Sequence, residues 1–181
     1  MLTMAIACTV SAIAIPEVTR AFDDLSAGAA ARDLALQLAR ARTEAVTHST
    51  FVGLRFTARG SDADYTVVID GNRNGIRTAD ITSGTDRVVR PPDMLGWHFR
   101  GVRFGLAEGL PDADMQRGTS TDGIRVGAAR ILSMNPNGSS SSGTLYVAGR
   151  GGAQYAVRIL AATGRVRVLK YDTGGSRWVT R

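Results

Sequence analysis

MLTMAIACTVSAIAIP, residues 1–16, runs without a break into EVTRAFDDLSAGAAARDLALQLARARTEAVT, residues 17–47, and this join decides the fold. Met1 to Ile15 contains no charged residue, and Pro16 closes the apolar stretch. From Glu17 to about Thr47 the chain grows polar but keeps a helical period. Leu34, Leu38, Ala41 and Ala45 fall at i, i+4, i+7 and i+11, and Leu25, Ala27, Ala30 and Ala31 extend that face. Arg32, Asp33, Gln37, Arg40, Arg42 and Glu44 occupy other faces; Arg40 and Glu44 are spaced for an i, i+4 pair worth only a few tenths of a kcal/mol, and the expectation is a solvated face. The Ala-rich stripe suits close approach to a sheet or a second helix.

Beyond His48 the period changes from helix to strand. Short strands are expected at 50–56, 64–69, 87–89, 97–104, 123–126, 130–132, 144–147, 155–160, 164–171 and 177–179, separated by Gly, Asp, Asn and Ser clusters. Several alternate apolar and polar residues, as half-buried antiparallel strands do. One long helix followed by a run of strands implies an α+β fold, the helix packed on antiparallel sheet. Leu106 to Thr121 is the best candidate for a long mobile loop. At 181 residues the chain is one domain with an N-terminal appendage, long enough to bury a real core. The net charge of +6 is spread along the chain and does not by itself indicate nucleic acid. The single cysteine, Cys8, lies inside the apolar helix, so no disulfide can form within one chain.

Fifteen apolar residues fall short of the roughly twenty that span a bilayer, which leaves a buried core helix open. Ala12-Ile13-Ala14 also fits a signal-peptide cleavage site, although no Lys or Arg precedes Arg20 to supply a positive n-region. A third possibility comes from resemblance. The apolar segment ending in Ala12-Ile13-Ala14-Ile15-Pro16, fused to an amphipathic helix, resembles the N-terminal helix of type IV pilins and type II secretion pseudopilins. Leu34-x-x-x-Leu38-Ala39-Arg40-x-x-x-Glu44-Ala45-Val46 is similar to a helix end of the GspH/FimT group, the minor pseudopilins of type II secretion and minor pilins of type IV pili. Met134-Asn135-Pro136-Asn137-Gly138-Ser139-Ser140 followed by Gly143-Thr144-Leu145, and the ending Tyr155–Arg158 through Gly164–Val168, resemble that group's turn, strand and final hairpin in the same order.

The resemblance implies a long helix with two small antiparallel sheets and a structural, non-enzymatic subunit of a pseudopilus or pilus. Residues 1–21 would be the membrane and filament-core segment, with Ile6, Val10, Ile13 and Ile15 in lipid or in the filament core and Pro16 permitting a local bend. Residues 22–181 would be a periplasmic domain. The partners implied are other pseudopilins or pilins, the inner-membrane assembly platform and the membrane itself. The family's basic leader, cleavage glycine and glutamate would stand before Met1, so the natural start is expected upstream.

Two stretches point to ligand chemistry. Asp70-Gly71-Asn72-Arg73-Asn74-Gly75, with Thr78 and Asp80 beyond, matches the start of a calcium loop, but the position for a bidentate carboxylate is Ile81 and no exiting helix is evident. The alternative is a polar Asn-Gly turn between strands. Gly164-Arg165-Val166-Arg167 places Arg165 and Arg167 on one strand face, and some FimT-type minor pilins that serve DNA uptake carry a G-R-x-R element there that binds DNA. Arg150, Arg158, Lys170 and Arg177 would extend that basic patch. No catalytic motif is recognisable. His48 and His98 are far apart, and Ser139–Ser142 lacks the residues of a nucleophile elbow.

Overall fold

The computed structural model describes residues 2–113 and 122–181, with the backbone alone for residues 2–17. The side chains of Ile6, Val10, Ile13, Ile15 and Pro16 therefore lie outside the described residues.

One helix, α1 (Leu2–Thr47), runs through the join between the apolar and polar segments. Two antiparallel sheets follow. Sheet A has the order β3 (Arg87–Asp93), β2 (Asp62–Ile69), β1 (Val52–Arg59), β6 (Ile131–Met134). Sheet B has the order β10 (Arg177–Thr180), β9 (Arg165–Asp172), β8 (Gln154–Leu160), β7 (Gly143–Ala148), β4 (Arg103–Phe104), with β5 (Ile124–Arg125) also pairing with β7. Two short helices, α2 (Thr78–Ser83) and α3 (Leu95–His98), lie in the connections around β3.

The core is a wedge between α1 and the inner faces of both sheets. Ala27, Ala30, Ala31, Leu34, Leu38, Ala41 and Ala45 are fully buried on one stripe of α1. They meet Val52, Leu54 and Phe56 of β1, and Leu145, Val147 and Val157 of sheet B. Phe56, Tyr65 and Phe104 form a ring cluster with centroids 5.7–6.4 Å apart where the sheets converge. Each buried leucine of the stripe contributes about 1.5–3 kcal/mol of hydrophobic stabilisation, and the alanines let the backbones close on it. Gly53 is required in β1 because a Cβ there would stand 2.8 Å from Ile76 Cδ1 and 2.9 Å from the Leu132 carbonyl oxygen.

Four expectations need correction. Leu25 does not extend the buried face; it is among the exposed residues of α1. The stretch 97–104 is not one strand. Leu95–His98 forms α3, a turn with Gly101 at φ +76° follows, and only Arg103–Phe104 pairs, with β7. Alternation was present, but the glycine turn and the burial of Leu95 overrode it. The segment Leu106–Ala113 is packed on sheet B and is not a free loop. Leu106, Leu110 and Ala113 pack on Tyr146 and Trp178, Trp178 Nε1 donates to the Pro111 carbonyl at 2.9 Å, and Ala113 N donates to Tyr146 Oη at 2.7 Å. Residues 114–121 lie outside the described residues. Glu44 pairs with Arg90 of β3, not with Arg40, and Arg90 also donates to Gln37 at 3.1 Å, tying the edge of sheet A to α1. Pro91 and Pro92 are tolerated in β3 because it is an edge strand.

Candidate assembly surfaces

Helix α1 carries two apolar faces. Val18, Phe22, Leu25 and Leu36 are each more than half exposed, at 52–67%. At about 100° per residue they fall within about 60° of one another, and about 180° from the buried Leu34–Leu38 stripe. The buried face builds the fold, and the second leaves large apolar side chains in water without serving it. A period count over 18–36 would have revealed this stripe; assigning Leu25 to the core face concealed it.

The end of α1 is locked to both turns that the sequence singles out. Arg42 Nε donates to the Gly138 carbonyl at 2.8 Å. Gly164 sits at φ +59°, and a Cβ there would stand 2.5 Å from the Gly138 oxygen and 2.9 Å from Arg42 Nε. The helix end, the Asn-Pro-Asn-Gly turn and the glycine before β9 thus meet at one point. Lower down, Lys170 of β9 bonds Asp24 of α1 at 2.7 Å, and Tyr155 Oη donates to the other oxygen of Asp24 at 3.1 Å. The bond to Asp24 raises the Lys170 pKa, and burial followed by the nearby Asp24 charge raises that of Tyr155. Burial and Asp93 raise that of Tyr65, whose hydroxyl donates to Asp93 at 3.2 Å. Lys170 is therefore committed to α1 and is not part of a free basic patch.

Arg165 and Arg167 are exposed on the outer face of β9. Arg167 lies directly opposite Arg158, Arg158 opposite Thr144, and Thr144 opposite Arg125, so these residues form one row across sheet B. Arg125 is held by Asp112 at 3.5 Å. Arg150 packs against Gly101 at the far end of β7, away from this row. On the inner side of the β9 edge, a groove of about 800 Å³ opens towards α1.

The Asp70 loop is organised around carboxylates. Asp70 Oδ1 accepts from Asn72 N and Arg73 N, Asp70 Oδ2 accepts from Gly75 N, and Asp86 accepts from Gly71 N and Arg77 N. The loop leads directly into α2, where an exiting helix was not expected. Asp86, 1% exposed, is a structural residue that the sequence reading missed. Among the described residues no group of three His, Cys, Asp or Glu side chains is placed to hold a metal ion.

A family profile described as Type II transport protein GspH matches residues 30–164. The chain belongs to the GspH family. The GspH match spans the buried half of α1, both turns and the hairpin up to Gly164. This GspH chain is thus a minor pseudopilin of type II secretion, a structural, envelope-associated subunit that assembles with other pseudopilins. Among solved structures it is similar to the minor pseudopilin EpsH from the Type 2 Secretion System of Vibrio cholerae, at 17% identity and a TM-score of 0.47, over 80% of this chain and 97% of that one. No curated protein matches the chain.

Proposed function

We propose that this subunit is held in the inner membrane by residues 1–21 and enters the pseudopilus through the second apolar face of α1, its sheets facing the periplasm. The observation that carries this reading is the stripe Val18–Phe22–Leu25–Leu36, apolar, exposed and continuous with the apolar N-terminal segment. Single exposed apolar residues are ordinary, but a helical stripe of large ones calls for a partner. Among the described residues no helix is long and apolar enough to cross a membrane; the anchoring role is proposed for residues 1–21, whose side chains up to residue 17 lie outside that description. The role is structural, with no catalytic step. Its platform partner would be the inner-membrane assembly machinery.

The decisive experiment is Phe22→Asp combined with Leu25→Asp in the full chain. Membrane retention and thermal unfolding should be unchanged, while incorporation into the pseudopilus and secretion should fall by about tenfold or more. Wild-type incorporation of the double variant would sink the reading.

A second reading, DNA binding, is favoured by Arg165 and Arg167, which are both exposed on the outer face of β9 and form no ion pair among the described residues. Two neighbouring guanidinium groups on one strand face suit an anionic partner such as a phosphate backbone. Gel shifts with DNA at low salt, lost on Arg165→Gln plus Arg167→Gln, are the expected result; no shift at low salt would exclude it.

A further inference from the structure

Strand β10 covers only the second half of β9. It pairs with Leu169–Asp172, and Arg181 N donates to the Val168 carbonyl at 3.0 Å. Backbone groups alternate between the two edges along an antiparallel strand, so Val166 presents its N–H and C=O on the same side as Val168. Arg165–Val168 is therefore an outer edge of sheet B. Beside it lies the groove of about 800 Å³. Its floor is apolar, made by Ala35, Leu36 and Ala39 of α1 and by Val166 and Val168 of β9. Arg32, Arg42 and Arg165 stand around it, and no carboxylate lines it. Arg32, Arg165 and Arg167 form no ion pair among the described residues.

We propose that this edge and groove form a docking site for an extended segment of a neighbouring subunit in which aliphatic and acidic residues alternate. The inference rests on the assembly reading above. A strand added beside Arg165–Val168 would satisfy the edge amide and carbonyl of Val166. Its side chains would alternate between the two faces. One set descends onto Val166, Val168, Leu36 and Ala39, where aliphatic groups fit. The other lies beside Arg165 and Arg167, where cross-strand opposite charges are favourable. Arg32 and Arg42 meet acidic groups at the far rim. A docked helix would leave the Val166 amide unpaired. DNA would engage the arginines and leave the apolar floor in water.

The test uses the full chain, isotope-labelled in detergent micelles, titrated with the peptide acetyl-Val-Glu-Val-Glu-Val-Glu-amide. The Val166 and Val168 amides and the Leu36 methyls should shift. Arg165→Glu plus Arg167→Glu, or Leu36→Asp, should weaken the peptide by about tenfold or more, and a peptide with Lys in place of Glu should not bind. No shift at millimolar peptide, shifts centred elsewhere, or shifts at β9 from a DNA duplex with none from the peptide would each overturn the proposal. Loss of incorporation in the Phe22→Asp, Leu25→Asp variant alongside a silent peptide titration would remove the docking site and keep the assembly reading. Normal incorporation of that variant would remove the assembly reading itself.

Discussion

Arg42 on the last turns of α1 donates its Nε–H to the carbonyl of Gly138, 96 residues away in sequence, at 2.8 Å. The bond closes the point where α1, the Asn135–Gly138 turn and the Gly164 turn meet, and it fixes the direction in which β9 sets out.

Substitution at this junction should be costly for a stated reason. Gly164→Ala puts a side chain at φ +59°, which costs about 1–2 kcal/mol by backbone alone. The 2.5 Å approach to the Gly138 oxygen adds to that. Arg42→Ala loses one part-buried hydrogen bond, about 1 kcal/mol. Urea unfolding should rank Gly164→Ala as the more damaging.

The two faces of α1 should respond in opposite ways. Leu38→Ala, at a fully buried position, should cost about 2–5 kcal/mol. Leu36→Ala, two residues earlier and 57% exposed, should stay within about 0.5 kcal/mol. Thermal denaturation of the pair checks this.

The loop over the outer face of sheet B should depend on Trp178. Its ring centroid lies 5.2 Å from that of Tyr171, edge to face, and 5.5 Å from that of Tyr146 at a tilt, and its Nε1 donates to the Pro111 carbonyl. Trp178→Ala should release Leu106–Ala113, and hydrogen exchange at Ala113 should rise by about tenfold or more while α1 stays protected.

Stability should fall at alkaline pH. The Lys170 and Tyr155 pKa values lie above their ordinary 10.5 and 10.0. A group whose folded pKa is raised contributes fully below the unfolded value and loses that contribution as pH climbs through the folded one. The loss should therefore begin near pH 10. Asp24→Asn should cost about 0.2–1 kcal/mol at pH 7, since the pair is about one-third exposed. Its difference from the parent chain should shrink above pH 10, read by denaturant midpoints at each pH.

The sequence by itself determined the long helix, an Ala-rich apolar stripe from Ala27 to Ala45, the α+β class and most strand positions, because these depend on local period and turn chemistry. It also carried the family, through three short pieces in order. Tertiary structure alone decided where those pieces go. Ionic partners were not legible: Glu44 had Arg40 at the right spacing but bonds Arg90, and Lys170 bonds Asp24 across 146 residues. The loop after Leu106 read as free because its anchors, Tyr146 and Trp178, come from distant strands. Nor does spacing say which apolar face of α1 is buried. Both stripes fit the helical period, and only packing against the two sheets makes Leu34 and Leu38 core while Phe22, Leu25 and Leu36 are left for a partner.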